Sequence, residues 1–290
     1  MPAPVLFLGS GVAQYLGAAV AVGLFAVAGA REVAWLRILA AALVLLAWQR
    51  PWRVRWSRAA LRGAAAFGLA LTGMNVAFYL AIDHLPLGLA VALEFSGPVA
   101  VAAVTGRARE RWGGLLAAAG VVVLSGAALA LPGGEAVAGL AWIFAAAALW
   151  AGYIVLGRRV AQDAQGRGLP SLALGMAVGA LVLAPFFAPS ALPHLADGGL
   201  ALAVLAVGVL SSVVPYAVEQ VVLRRVTAAT FAVLLALLPV TAVAVGAVSL
   251  QQVPSLRELL GVVLVCAAIT LTSRRPAGPR SAGDAGRPRA

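Results

Sequence analysis

Ten apolar runs, each about as long as a membrane helix, constrain the fold of this chain more than any other feature. A helix needs about 20 apolar residues to cross the hydrocarbon layer of a bilayer. Hydrophobic residues make up 63% of the 290, and charged residues only 11%, which excludes a soluble enzyme. The runs predict an all-α membrane protein with spans at residues 5–29, 33–49, 63–82, 86–105, 112–131, 138–157, 170–188, 198–219, 227–250 and 256–273.

The placement of the basic residues decides what the formal charge of +11 means. All 21 basic residues are Arg, and 18 of them fall in the even-numbered gaps between spans and in the C-terminal tail. Short Arg-rich loops stay on the cytoplasmic side of a membrane. We therefore expect a multi-pass membrane protein with both termini in the cytoplasm. The same segregation argues against a nucleic-acid partner.

Outside the spans, the chain offers little that could fold or bind an ion. Residues 276–290 are rich in Pro, Gly and Arg, so we expect a disordered cytoplasmic tail attracted to anionic membrane lipid. Cys266 is the single cysteine and the two histidines lie far apart in sequence. We therefore expect no disulfide, no metal site and no cofactor.

The two halves of the chain share a layout of spans. In each half, a span with central polar residues is followed by a Pro-containing span and then by one rich in small residues. Pro98 and Pro239 correspond at a separation of 141 residues. Because five spans is an odd number, the second half would enter the membrane from the opposite side. We expect two inverted five-helix repeats, at residues 5–131 and 138–273, as in many secondary transporters.

Ionisable residues inside the spans are the first candidates for function, because a charge in hydrocarbon costs about 2.5–3.5 kcal/mol on insertion scales. Glu94 is the ninth residue of its span and lies too deep to reach either surface, at about the depth of Asn75. Burial disfavours a charged carboxyl, which suits a group that gains and loses a proton. Arg37 and Glu219 are predicted nearer the span ends, where Arg37 could extend to the surface and Glu219 could pair with the arginines that follow it.

Aromatic residues accompany these positions at helical spacing. Three pairs of residues lie one turn apart, each on one helix face: Asn75 with Tyr79, Trp150 with Tyr153, and Ser212 with Tyr216. Such pairs could line a polar cavity. The alternative for Tyr153, which is predicted close to a span end, is an aromatic anchor at the membrane interface.

Several stretches resemble the EamA family of the drug/metabolite transporter superfamily, and in particular its threonine and homoserine exporter branch. The resemblance spans residues 5–273 and is carried by Leu36-Arg37, Pro51–Arg55, Gly73–Tyr79, Pro86–Pro98 and Pro215–Glu219. It implies ten helices in two inverted repeats. It also implies efflux of small metabolites, in particular neutral amino acids, across the bacterial plasma membrane. From the depth of Glu94 we expect this secondary exporter to be coupled to protons, and from the inverted repeats we expect alternating access.

Individual residues match the pattern of this branch. We expect the substrate to contact Asn75, Tyr79, Glu94, Trp150, Tyr153 and Tyr216. Glu94 and Glu219 are predicted to carry protons, and Arg37 is the predicted charge partner of Glu94. One departure is visible, since Leu238 precedes the Pro of span nine where the branch carries a Glu.

Two alternative functions stay open. An exporter of other metabolites or amphiphilic drugs would share the fold and tolerate an apolar cavity. An intramembrane enzyme would need a catalytic constellation. His84 and His194 lie at the predicted outer interface beside Asp83 and Asp197, and neither pair forms a recognisable catalytic motif. We therefore expect no catalytic residues, and an amino acid, protons and lipid as partners.

Overall fold

The computed structural model describes residues 3–105, 108–131, 135–163, 168–223 and 234–273, and this part of the chain contains helices and no strand. The helices are α1 (Ala3–Ala28), α2 (Ala30–Gln49), α3 (Arg58–Ile82), α4 (Leu87–Glu94), α5 (Ser96–Thr105), α6 (Ala108–Leu129), α7 (Ala136–Asp163), α8 (Gly168–Ala191), α9 (Gly198–Gly208), α10 (Val214–Leu223), α11 (Leu237–Ser249) and α12 (Leu256–Ser273). The predicted all-α fold is confirmed for these residues. The predicted tail at residues 276–290 lies outside them.

The helices correspond in order to the ten predicted spans. Helices α4 and α5 together form span four, and α9 and α10, joined by the π-helical turn Val209–Val213, form span eight. Seven segments of the described chain are long and apolar enough to cross a membrane. The other three spans are α2, which carries charged residues, the short apolar α11, and α12. These are the helices of a multi-pass membrane protein.

Several helices extend beyond the predicted ends of their spans, and two of these differences change the predicted depth of Arg37 and Tyr153. Helix α2 begins at Ala30 instead of residue 33, because Gly29 has a φ of 73° and turns the chain directly from α1 into α2. Helix α7 continues to Asp163, past the predicted end at residue 157. Arg37 therefore lies about 10 Å along α2 from its start, deeper than the sequence suggests. Tyr153 likewise lies well inside α7.

Prolines interrupt three spans near their middle. Pro98 has no N–H to donate to the carbonyl of Glu94, and the helix breaks at Phe95. Span nine breaks at Ala236, which precedes Pro239 by the same three residues. In span eight, the π-helical turn comes directly before Pro215. Such breaks are tolerated at membrane depth only where they are buried in protein or face a cavity.

The helices of the first half pack mainly on those of the second. Helix α3 lies between α7 and α8, and α1 packs against α9, α10 and α11. Helix α2 contacts α8 and α9, α4 contacts α11, and α6 pairs with α12 along its length. The core of the bundle is therefore built from both halves at once.

Polar contacts join helix ends on one side of the bundle. The Nδ1 atom of His84, after α3, lies 3.1 Å from a carboxylate oxygen of Glu135, before α7. The Ser190 hydroxyl, in the last turn of α8, donates to Glu32 in the first turn of α2 over 2.9 Å. The end of α3 and the start of α2 thus lie on the same side, as antiparallel neighbours require.

Two helices approach each other closely where α3 crosses α8. A Cβ atom added to Gly68 would overlap the backbone carbonyl of Gly175. One added to Gly179 would overlap the side chain of Thr72. Small residues that let backbones approach stabilise helix pairs in membranes, where the hydrophobic effect does not drive helices together. Gly175 and Gly179 therefore form a packing contact with α3.

We predict that Gly68→Ala destabilises the protein, because the new methyl group would force α3 away from the α8 backbone. We expect the melting temperature in detergent to fall by several degrees. Gly126→Ala is the matched control, since a Cβ atom there meets nothing within 4 Å. Equal melting temperatures for the two variants would contradict the packing described here.

Candidate functional site

A cavity of about 260 Å³ lies at the centre of the bundle, where the broken spans meet. Helices α1, α2, α3, α4, α7, α10 and α11 all contribute to its wall. Six of the eight residues predicted from the sequence line it: Arg37, Asn75, Glu94, Trp150, Tyr153 and Tyr216. The structure thus brings together polar side chains from five spans that are distant in sequence.

Arg37 is the best-anchored polar group of the cavity, with only 5% of its surface exposed. Its Nη2 atom donates to the Asn75 side-chain oxygen, and it donates to the Ser212 hydroxyl over 3.1 Å. The Asn75 amide donates in turn to the Leu71 carbonyl over 2.7 Å, which fixes the orientation of the amide. The expectation that Arg37 extends to the membrane surface is wrong, because these contacts hold it inside the bundle.

Tyr79 lies behind Arg37 and outside the cavity wall. The centre of the Arg37 guanidinium is 4.6 Å from the Tyr79 ring centroid, a cation–π contact. The ring is fully buried and packs beside Phe25, 6.0 Å away between centroids. At Tyr79, α3 therefore faces its helix neighbours, while the adjacent Phe78 lines the cavity. The structure gives Tyr79 a contact with Arg37, and its predicted contact with substrate stays a prediction.

Glu94 is the last residue of α4, so its carboxyl lies at the break that Pro98 causes. The side chain is 9% exposed and lines the cavity that Arg37 also lines. Among the described residues, Glu94 forms no hydrogen bond through its side chain and no salt bridge with Arg37. Because Arg37 is held by Asn75 and Ser212, the carboxylate remains available to a ligand.

Aromatic rings form one side of the cavity. Trp150 packs edge-on against Phe95, with 4.8 Å between ring centroids, and Tyr153 packs against Phe67 at 4.5 Å. Both residues project from α7, and Tyr216 projects from α10. Tyr153 lies on the cavity wall, so the alternative reading of it as an interfacial anchor is wrong.

The first span also contributes to the cavity wall, which was not predicted from its sequence. Gln14 and Tyr15 of α1 line the cavity, and the Ser211 hydroxyl donates to the Gln14 carbonyl over 3.0 Å. The available signal was a Gln next to a Tyr in the middle of an otherwise apolar run. Gln14 thereby connects α1 to the π-helical turn of span eight.

Two leucines of the second half occupy the wall near the break in span nine, Leu235 and Leu238. Leu235 corresponds to Glu94 at the separation that relates Pro98 to Pro239. The break itself is stabilised by the Cys266 thiol, which donates to the Ala236 carbonyl over 3.2 Å. The first half therefore supplies a carboxylate at its break, and the second half supplies an apolar side chain.

The second predicted proton carrier, Glu219, belongs to α10 and follows Tyr216 by three residues. Its side chain lies outside the described part of the structure, as do Arg224 and Arg225. Its predicted role therefore stays a prediction.

A bundle of ten spans with a polar cavity at the breaks of its central helices has the architecture of a membrane transporter. Charged groups at membrane depth line a path for a substrate or an ion in such proteins. Comparison with known proteins identifies the kind of transporter.

Residues 137–274 match the EamA-like transporter family. Over 267 residues the chain is 34% identical to the threonine/homoserine exporter RhtA of Escherichia coli, an alignment that covers 89% of this chain and 88% of that protein. The identity and coverage are the same for the threonine/homoserine exporter RhtA of Salmonella typhimurium. The chain therefore belongs to the EamA-like transporter family, and it is a membrane transporter and not an enzyme.

The fold is also known from a solved crystal structure. Its TM-score with this chain is 0.58 at 20% sequence identity, and the match covers 93% of this chain and 96% of that one. At this level of identity, the likeness establishes the shared fold over nearly the whole length of both chains.

We predict that Asn75→Ala lowers the thermal stability of the purified protein, because Arg37 then loses a buried acceptor, at a cost of about 1–3 kcal/mol. Asn75→Asp is the informative comparison, since it keeps an acceptor and adds a negative charge beside the guanidinium. We expect its melting temperature to match or exceed that of the wild type. An unchanged melting temperature in Asn75→Ala would show that Arg37 does not depend on this hydrogen bond.

Proposed function

We propose that this transporter is a secondary exporter of small neutral amino acids such as threonine and homoserine, in the bacterial inner membrane. The observation that carries the proposal is the pair of opposite charges, Glu94 and Arg37, that line one cavity without neutralising each other in a salt bridge. A zwitterionic amino acid carries the complementary pair. The relatives at 34% identity are named as exporters of two such amino acids.

The size of the cavity favours a small substrate. Sites for drug-sized ligands measure about 300–1,000 Å³. The volume here is about 260 Å³, below that range. The aromatic wall of Trp150, Tyr153 and Tyr216, next to a carboxylate, supports a second candidate, an amphiphilic cation. The buried Arg37 opposes that candidate, since it would repel a second positive charge.

Alternating access requires two halves that can rock about the cavity. We propose that these halves are two inverted repeats, at residues 5–131 and 138–273. The packing of the helices supports them. An inverted repeat relates each span of the first half to the span five places later in the second half. The contact between α3 (span three) and α7 (span six) then has a counterpart between α9 and α10 (span eight) and α1 (span one), and both contacts are present. Three further contacts each join a span to its own counterpart in the other half, as the repeat requires: α2–α8, α4–α11 and α6–α12.

Glu94 is the proposed coupling group. In the outward-facing state, a proton from outside neutralises the carboxylate and releases the substrate ammonium. In the inward-facing state, the ammonium of a new substrate displaces the proton into the cytoplasm. Because proton and ammonium compete for one carboxylate, the proton gradient drives export. Glu219 is the proposed reserve carrier near the cytoplasmic end of span eight.

We predict that Glu94→Gln abolishes export driven by the proton gradient, because a neutral amide keeps the size of the side chain and cannot exchange a proton. The measurement is threonine efflux from cells or proteoliposomes with and without an imposed gradient. Glu135→Gln is the matched control, since this exposed carboxylate lies outside the cavity.

The Glu94→Gln result separates two roles of this carboxyl. Loss of gradient coupling with threonine binding retained supports proton exchange at Glu94. Loss of binding itself supports a contact with the substrate ammonium. Full gradient-driven efflux would eliminate both roles. Unchanged intracellular levels of every amino acid, together with altered tolerance to a hydrophobic cation, would favour the second candidate.

The proposed topology places both termini in the cytoplasm. We predict that Ser281→Cys reacts with an impermeant thiol reagent only after the cells are permeabilised. Val253→Cys, at a position 85% exposed between α11 and α12, should react in intact cells. The reverse labelling pattern would invert the topology.

A further inference from the structure

We infer that Arg37 binds the carboxylate of the transported substrate, and that this contact restricts transport to molecules carrying a carboxylate beside their amine. The inference rests on the proposed function and deepens it, because it assigns a residue to each charge of the substrate. The inference depends on two groups that line the same cavity: the buried Arg37 guanidinium, whose donors are only partly paired, and the Glu94 carboxylate.

The hydrogen-bond donors of Arg37 are only partly used. A guanidinium has five N–H donors. Those of Nη2 go to Asn75 and Ser212, while Nε is buried without a partner. In the described part of the chain, Nη1 also has no acceptor, although Arg37 lines the cavity. The side chain is therefore held in place from one edge and retains donors for a ligand.

The charge of Arg37 forms no salt bridge with the described residues, although Glu94 lies near enough in the same cavity to interact with it electrostatically. Its hydrogen-bond acceptors are an amide and a hydroxyl, and its ring contact is Tyr79, so all three partners are neutral. No carboxylate of the described residues comes within salt-bridge distance of it. A buried charge that is held by neutral groups alone is costly. An anionic group arriving in the cavity would therefore be stabilised beside the guanidinium.

A zwitterion bound between these residues has a defined orientation. Its carboxylate faces Arg37 and its ammonium faces Glu94. The small side chain is left to face the aromatic wall of Trp150 and Tyr153. Ser212, one of the two residues that hold Arg37, belongs to the π-helical turn of the second half. Binding of the carboxylate therefore engages a contact that joins the two halves, where the rocking motion takes place.

The first arm of the test compares threonine with threoninol, the amino alcohol in which a hydroxymethyl group replaces the carboxylate. Binding to the purified wild-type protein and transport in proteoliposomes are measured for both. Since hydrogen bonds to a charged group are strong, we expect threonine to bind about 10-fold to 100-fold more tightly than threoninol. Equal affinity and equal transport of the two compounds would overturn the inference and leave the proposed function intact.

The second arm uses Arg37→Gln, with Arg31→Gln as the matched control. Arg31 lies at the start of α2, 5.8 Å from the Phe187 ring centroid and outside the cavity. We expect Arg37→Gln to lose the preference for threonine while its weak affinity for threoninol persists, and Arg31→Gln to keep the wild-type ratio. A retained preference in Arg37→Gln would overturn the inference.

Two further outcomes of the experiment also have a defined meaning: an Arg37→Gln variant that does not fold, and a wild-type protein that handles neither amino acid. If Arg37→Gln does not fold, the wild-type ratio of threonine to threoninol affinity decides alone, because it requires no variant. A wild-type protein that neither binds nor exports threonine or homoserine would overturn the proposed function and the inference together. That result is distinguishable from equal handling of threonine and threoninol, which counts against the role of Arg37 only.

Discussion

A buried arginine determines how the centre of this bundle is built. Arg37 needs acceptors because its charge lies at membrane depth, and it finds them on two other spans, at Asn75 of α3 and Ser212 before α10. Tyr79 covers its other face. These contacts fix α2, α3 and the π-helical turn relative to one another, and they join the first half of the chain to the second. The cavity lies beside this cluster, and Arg37 and Asn75 form part of its wall.

The second constraint on the centre of the bundle is the break that proline causes in a helix. A continuous helix at span four would satisfy its own backbone and present only side chains to the cavity. Pro98 interrupts the hydrogen-bond ladder at Glu94, so a carboxyl and a freed carbonyl occur together at the break. Span nine repeats the same break with Leu235 in place of the acid, and the Cys266 thiol binds a carbonyl there. An acidic side chain therefore accompanies the freed backbone carbonyl at the break in span four, and no acidic side chain does so at the break in span nine.

The sequence predicted the spans and six of the residues that line the cavity, because both follow from periodicity and depth. Glu94 and Asn75 could be placed at one level by counting the residues from their span ends. The position of Arg37 could not be derived in this way, since it depended on where Gly29 turns the chain into α2. The surroundings of Tyr79 could not be derived from the sequence either. Helical spacing puts Tyr79 on the same face as Asn75, and only tertiary packing decides that Arg37 and Phe25 cover it. The contribution of α1 through Gln14 depends on contacts between distant spans, which a single sequence does not reveal.

Structural symmetry and chemical asymmetry serve different ends in the proposed mechanism. Halves related by inversion can exchange conformations, so that the cavity faces each side of the membrane in turn. A zwitterion, however, is not symmetric, and two chemically identical halves would present it with the same charge twice. Here the first half supplies the charged groups of the cavity, Arg37 and Glu94, while the second supplies the Ser212 hydroxyl and the Tyr216 ring. At the break of span nine, Leu235 and Leu238 keep a second carboxylate out of the wall. Under the proposed mechanism, a single carboxylate in competition for proton and ammonium is sufficient for coupling, so export does not require the second acid that the branch carries before the Pro of span nine.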